Sequence, residues 1–435
     1  MIHFIGIKGT GMSALACMLY DMGEDIQGSD LKKHFFTEDP LVDRKIPILE
    51  FDKDNIKDHM TVIIGNAFLE DFGEVIAARA NKTCQVFRYH EYLGHLMEKY
   101  QSFSVAGSHG KTTTTGLLSA MLNQGFPTAF LIGDGTGFLD EKSEKLVVES
   151  CEYRRHFLAY YPDYAIITNI EIDHVDYFKS TQDYLNAYLE FSNNVKKAIM
   201  VFGDDEETRK FKSKTTHYFY GLGLNNDLVA KNLVELENAM SFDVYFLNEF
   251  IGHFNLPFVG RHMLYNSLAC IGLGILNHMS VEAMIEGLNQ FKGVKRRYVI
   301  EHYNDCVFVD DYAHHPTEIL MTIEATKKRF PNKKVVAIFK PHRVSRVFYF
   351  KEEFKAALSL ADEVYLCDFT SIDDKEDGID IDITYLQKEI ENAHVLAEND
   401  EGAKTLAQYH DAVLLFMSSK DIYDLANLVK RYQNP

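Results

Sequence analysis

The stretch GSHGKTTTT, Gly107 to Thr115, follows the apolar run FSVA and precedes GLLSAML. A strand, a turn of Gly107, Ser108, His109 and Gly110, then a helix opening on Lys111, Thr112 and Thr113 is an arrangement that binds phosphate. Glycines let the backbone aim N–H groups at phosphate oxygens, Lys111 adds a point charge, and Thr112 offers an oxygen to magnesium. The helix N-terminus adds partial positive charge. Val105 stands where the general Walker pattern has its first glycine. The bland alternative is a strand-to-helix turn with a solvated lysine, but GKTTTT directly behind a buried strand favours ATP.

A second turn, GIKGTG, runs from Gly6 to Gly11. Gly9-Thr10-Gly11-Met12-Ser13-Ala14 is a GxGxxA between an apolar strand and a helix, and Ser29 and Asp30 close the next strand about twenty residues on. From the residues alone this is a dinucleotide fingerprint, with Asp30 placed for a ribose hydroxyl, or simply close helix–strand packing. A diphosphate on any nucleotide satisfies the same N–H groups, so the motif indicates pyrophosphate more firmly than nicotinamide. An NAD-dependent oxidoreductase is the rival from another class, and it would leave GSHGKTTTT idle. Two such cradles imply two phosphorylated molecules.

The elements that must position these turns follow from length and pattern. At 435 residues the chain exceeds one compact core, and about 150 residues per domain suggests three. Residues 1 to 98 alternate apolar runs (HFIGI, DIQG, TVIIGN, QVFRY) with amphipathic stretches (MSALACMLYDM, EVIAARA), which predicts a parallel sheet flanked by helices. The pattern restarts at Gln101 with FSVAG, KLVVES, YAIITN and AIMVFG. A third series runs through CVFVDD, a helix from Pro316, KVVAIF, EVYLCD, AVLLFM and a closing helix DIYDLANLVKRY.

Composition narrows the class. The apolar fraction is 46% and the charged fraction 25%, as in ordinary globular proteins. The opening MIHFIGI lacks a basic leader, and no uncharged apolar run approaches the roughly 20 residues of a membrane span. A cytoplasmic protein without membrane insertion is expected. The six cysteines form no CxxC pair, which argues against zinc or a disulfide framework. A formal charge of −19 repels nucleic acid, so anionic substrates need local concentrations of positive charge.

GIKGTGMSALA, GSHGKTTTTGLL, TNIEIDH, GRHMLYNS, GVKRRY, VDDYAHHPTE and PHRVSR occur in the order and spacing of the Mur ligases. Over nearly its whole length the chain resembles that family, most of all the members that add L-alanine to UDP-N-acetylmuramate. The resemblance implies an α/β protein of three domains. Residues 1–98 form a Rossmann-like domain for the UDP sugar, 99–294 a central P-loop ATPase-like domain, and 295–435 a Rossmann-like domain completing the ATP and amino-acid site. A monomer or homodimer is expected, with ATP as co-substrate and Mg2+, or Mn2+, as the metal. The chemistry is coherent. A carboxylate repels nucleophiles and has no usable leaving group; phosphorylation cures both faults, and the amine of alanine then displaces phosphate. Such catalysis rests on positioning and charge neutralisation.

By the same resemblance Lys111 is the phosphate lysine, Thr112, Glu149 and His174 are metal ligands, Asn266 lies near ATP and Arg297 contacts phosphate. Histidine is an unusual ligand for hard magnesium; from the residues alone His174 reads as a packed or capping residue. Asp311 corresponds to the acid that holds the ATP ribose, with a helix-start acid ahead of Pro316 as its bland reading. His314 corresponds to an alanine or intermediate contact, and Arg343 and Arg346 to groups facing the acyl phosphate, or else an exposed helix start. Gly9, Thr10, Gly11, Met12, Ser13, Ser29 and Asp30 fall on the UDP-substrate positions. Glu152 is either an assisting acid or a solvated one. The chain departs from the family at Met263, where asparagine is common, at Lys340, where glutamine is common, and at Ser418-Ser419-Lys420, which replaces a Gly-Ala-Gly turn. Because the parts come from separate domains, closure on ligand binding is expected. Rival readings are a ligase for another amino acid or a preformed peptide, and a non-catalytic nucleotide-binding regulator.

Overall fold

A computed structural model describes residues 1–236, 239–369, 378–420 and 422–433. The chain divides into two compact units, 1–172 with 181–292, and 173–180 with 293–435.

The first unit holds two sheets. Short β-rich apolar runs form β1 (Ile2–Ile5), β2 (Ile26–Ser29), β3 (Ile48–Leu49), β4 (Thr61–Ile64) and β5 (Gln85–Arg88), paired in the order β3-β2-β1-β4-β5, all parallel. The order reverses between β1 and β4. At such a switch point a crevice opens beyond the carboxyl ends of the strands, and the turn Gly6–Gly11 leaves β1 there. Helix Thr10–Asp21 follows, with Met12 to Leu19 buried.

The second sheet contains β6 (Gln101–Ala106), β7 (Thr128–Leu131), β8 (Gly137–Phe138), β9 (Lys145–Glu149), β10 (Tyr164–Ile167), β11 (Ala198–Phe202), β12 (His217–Gly221), β13 (Leu228–Glu235), β14 (Met240–Phe246) and β15 (Glu249–Leu256). Its order is β15-β14-β13-β12-β11-β10-β6-β9-β7-β8. The parallel part, β13 through β7, carries the strands expected from FSVAG, KLVVES, YAIITN and AIMVFG. The antiparallel hairpins of β13 to β15 were not legible as long apolar runs: buried residues alternate with more exposed ones in β14 and along most of β15, and β13 is buried only over its first three residues. Helices Lys111–Leu122 and Arg261–Leu276 cover one face, packing Leu117, Met121, Leu264 and Leu268 against Phe103 and Val105.

The second unit is built on β16 (Val299–Tyr303), β17 (Cys306–Asp311), β18 (Lys334–Phe339), β19 (Glu363–Cys367), β20 (Ala393–Leu396) and β21 (Ala412–Met417). Their order is β16-β17-β21-β18-β19-β20, parallel except at β16. Pro316 opens helix Pro316–Arg329, as its fixed φ favours. The closing helix spans Tyr423–Gln433; Asp421 lies outside the described residues. No helix among the described residues is long and apolar enough to cross a membrane.

Candidate active site

Both glycine turns deliver an uncapped helix. Gly9 caps helix Thr10–Asp21 and Gly110 caps helix Lys111–Leu122; neither cap receives a side-chain hydrogen bond, and neither first turn contains an acid. The first N–H groups of each helix therefore face outward with the positive end of the dipole behind them, a geometry that suits an anion.

Around the second turn the backbone is forced. Gly107 sits at φ +135° and a Cβ there would fall 2.0 Å from Thr168 Oγ1. Asn169 Oδ1 accepts the N–H groups of Ser108 (3.1 Å) and His109 (2.9 Å). Asn169 thereby fixes the shape of the loop. Lys111 Nζ donates to Gly107 O, to Ser108 O at 3.1 Å and to Glu152 at 3.0 Å. Glu152 is 1% exposed, so it is no solvated acid, and Tyr184 Oη donates to it at 3.3 Å. Burial opposes the lysine charge, but Glu152, Cys151 and Glu149 hold the ammonium above the usual lysine range.

Thr112 Oγ1 donates to Glu149 Oε1 at 3.1 Å, and Glu149 Oε2 accepts the Gly133 N–H at 2.7 Å. A hydroxyl and a carboxylate side by side at a helix N-terminus are hard oxygen donors that suit magnesium. Thr113 is half-buried on the first turn. Asn266 lies against the loop, its Oδ1 3.1 Å from where a Gly110 Cβ would be. Met263 packs on the central core.

At the first turn, Asp30 closes the loop rather than standing open: its Oδ2 accepts Lys8 N–H and its Oδ1 accepts Leu31 N–H, each at 2.8 Å. Ser13 and Ser29 are fully buried, with Ser13 Oγ donating to Thr37 O at 2.6 Å and Ser29 Oγ to Glu74. Both hydroxyls are thus engaged within the protein. Gly9, Thr10, Gly11 and Met12 remain at the rim, Met12 largely buried.

Two connections between the cradles escaped sequence reading. The loop IGDGTG between β7 and β8 spans them. A Cβ on Gly135 would lie 3.3 Å from Thr10 Cγ2 and one on Gly137 2.7 Å from Met18 Sδ, while Gly133 holds Glu149. Tyr89 is the other, for a Cβ on Gly11 would fall 2.5 Å from its hydroxyl oxygen. Burial, with Glu149 and Cys151 nearby, pushes that hydroxyl above the usual tyrosine range. The three alternating glycines of GDGTG were the available signal.

In the second unit, Arg343 pairs with Asp176 at 2.5 Å and Arg346 with Asp173 at 2.7 Å. These arginines are buried or nearly so, not an exposed helix start. Burial would raise the Asp173 carboxyl, but Arg346 and the neighbouring histidines hold it well below the carboxylate range. His174, in a left-handed backbone at φ 52°, follows directly. His314 Nδ1 lies 3.0 Å from Glu318, and Arg297 lies 3.5 Å from the same acid. Asp311 is buried and accepts N–H bonds from Tyr298 (2.8 Å) and Ala313 (2.7 Å). Burial raises its carboxyl to about 6. His342, ringed by Lys420, His314, Arg346 and Arg343, is pushed down to about 2, first by burial and then by those charges. Arg296 is buried and donates to Ser418 O at 2.7 Å and Lys420 O at 2.6 Å. Ser418 Oγ donates to Lys340 O and accepts from Lys420 N, both at 2.9 Å. The two departures from the family pattern, at Lys340 and at Ser418-Ser419-Lys420, are thus one braced structure.

Three family models match in sequence: the Mur ligase family catalytic domain over residues 1–101, the Mur ligase middle domain over 105–274, and the Mur ligase glutamate ligase domain over 295–419. The chain belongs to the Mur ligase family. Mur ligases are ATP-dependent ligases of peptidoglycan-precursor synthesis, and the chain shares that reaction class. It is similar to the UDP-N-acetylmuramate-alanine ligase MurC of Thermotoga maritima, 28% identical with 99% of each chain covered and a TM-score of 0.82. A murein peptide ligase from Psychrobacter arcticus is 22% identical over 100% of this chain and 99% of its own, with a TM-score of 0.76. MurF from Thermotoga maritima in complex with ADP is 19% identical over 95% and 96%, with a TM-score of 0.64. The last two likenesses concern the fold, which is the three-domain Mur ligase fold.

Proposed function

We propose that this Mur ligase joins L-alanine to the carboxylate of UDP-N-acetylmuramate through an acyl phosphate, using ATP, with 1–98, 99–294 and 295–435 as its three domains. The observation that carries the reading is the bridge in the first unit, where one glycine loop touches helix Thr10–Asp21 and also holds Glu149 beside Thr112. That arrangement suits two phosphorylated molecules meeting end to end. Full-length similarity to an alanine-adding ligase supports alanine as the amine.

Gly9 to Met12 would take the diphosphate of the UDP sugar, and Gly110 to Thr113 with Lys111 the phosphates of ATP. Thr112 and Glu149, with His174 as a further ligand, would hold Mg2+ or Mn2+, which supplies neutralisation of phosphate charge. Asn266, Arg297 and Asp311 would contact ATP, while His314, Arg343 and Arg346 would face the acyl phosphate and alanine. Phosphate release is the measurement that tests this. With ATP, magnesium and UDP-N-acetylmuramate, L-alanine should stimulate release more than any other amino acid. Stimulation only by the tripeptide L-Ala-D-Glu-meso-diaminopimelate would move the chain to peptide addition, and no stimulation at all would sink the reading.

A further inference from the structure

The carboxyl rim of the first sheet carries a cluster that neither glycine turn uses. Asn66 lies just past β4, His90 is the second residue of helix Tyr89–Met97 after β5, and His156 comes from the stretch Tyr153–Ala159 that follows Glu149. Asn66 Oδ1 lies 2.8 Å from His90 Nδ1, and Asn66 Nδ2 lies 3.2 Å from His156 Nδ1. An amide oxygen only accepts and an amide nitrogen only donates. In this arrangement His90 carries its proton on Nδ1 and His156 on Nε2. The rings stack with centroids 4.4 Å apart and planes 21° from parallel. Burial lowers both imidazoles, His156 to about 4 with His90, Arg154 and Arg88 adding to the effect. At neutral pH the pair is therefore uncharged, with an acceptor at His90 Nε2 and a donor at His156 Nε2. Neither Nε2 has a hydrogen-bond partner among the described residues.

Position and chemistry select the ligand. In open α/β sheets ligands sit beyond the carboxyl ends of the strands, and the residue before His90 is Tyr89, whose hydroxyl abuts Gly11. Through Tyr89 the cluster adjoins the Gly9–Gly11 turn on the same rim. Phosphate and carboxylate want donors only, so a neutral acceptor–donor pair suits neither. It matches hydroxyl groups, which both donate and accept.

We propose that Asn66, His90 and His156 form a subsite that reads the hydroxyl-bearing edge of the sugar in the UDP-linked substrate and fixes the sugar between the glycine turn and Glu149. This rests on the UDP-sugar reading above. Asn66 is a positioning residue, since it sets the tautomers of both rings.

Calorimetry on the full chain, with UDP and UDP-N-acetylmuramate as separate titrants, tests it. The native chain should prefer the sugar nucleotide; equal affinity for the two would overturn the substrate reading itself. His156→Phe keeps a ring in the stack and removes the donor. It should weaken UDP-N-acetylmuramate binding about tenfold, the scale of one hydrogen bond, while UDP and ATP affinities stay unchanged. His90→Phe should do the same by removing the acceptor, and it serves if His156→Phe melts early. Were the native preference retained in either folded variant, or UDP affinity lost in equal measure, the subsite would be refuted while the substrate reading stood.

Discussion

The two glycine turns use one backbone device for different ends. Each leaves a central strand, each opens a helix without a side-chain cap, and each has glycine where a Cβ would collide with a neighbour. What differs is the side chains behind the amides. At the first turn the nearby lysine, Lys8, is drawn inward to Leu31 O, Lys33 O and Glu38, leaving N–H groups and dipole alone. At the second, Lys111, Glu152, Thr112 and Glu149 stand together. Backbone amides suffice to hold a diphosphate that does not react. A phosphate that is transferred needs positioned charge close by. The turn alone suits a phosphate; the groups behind it decide whether chemistry can follow.

The sharpest way to break this contrast is Lys111→Ala. Turnover should fall by a factor of at least about 1,000, the upper range for losing one charge-stabilising group, while calorimetry should show UDP-N-acetylmuramate binding intact. Loss of both would mean that the turns are not separable. Gly11→Ala tests the other side, because its Cβ must displace Tyr89. The KM for the UDP sugar should rise about tenfold, or ~1.4 kcal/mol, with the KM for ATP unchanged. A rise in both would show that Tyr89 serves the nucleotide triphosphate as well. Glu152→Gln is the mildest test. Removing the acid that orients Lys111 should lower kcat about fivefold without moving the UDP-sugar KM, an effect of ~1 kcal/mol. An unchanged kcat would reduce Glu152 to a packing role.

Much of this was legible in the sequence, for physical reasons. Strands buried on both faces, such as KVVAIF and AVLLFM, read as continuous apolar runs, and the helices between them alternate plainly. The hairpins of β13 to β15 are half-exposed, so LVAKNLVE and SFDVYF blend into polar surroundings. At the site, GSHGKTTTT declared itself because its residues are adjacent in the chain. Glu152, Tyr89 and Gly133 act by meeting residues distant in sequence, which spacing does not reveal. Arg296 shows the same limit from the other direction: beside Lys295 and Arg297 it resembles a solvated charge, yet its guanidinium is enclosed by Tyr312 and Tyr423 at 5.2 and 5.1 Å.

That enclosed guanidinium has a consequence for how the C-terminal domain can be altered. In place of the Gly-Ala-Gly turn that the family resemblance leads one to expect, two carbonyls are strapped to Arg296 and a serine hydroxyl is pinned to the Lys340 carbonyl. The bend has become a property of three separate segments. A graft of Gly-Ala-Gly alone would leave the strap pulling on a backbone no longer shaped for it, and only exchange of all three segments together would transplant the turn.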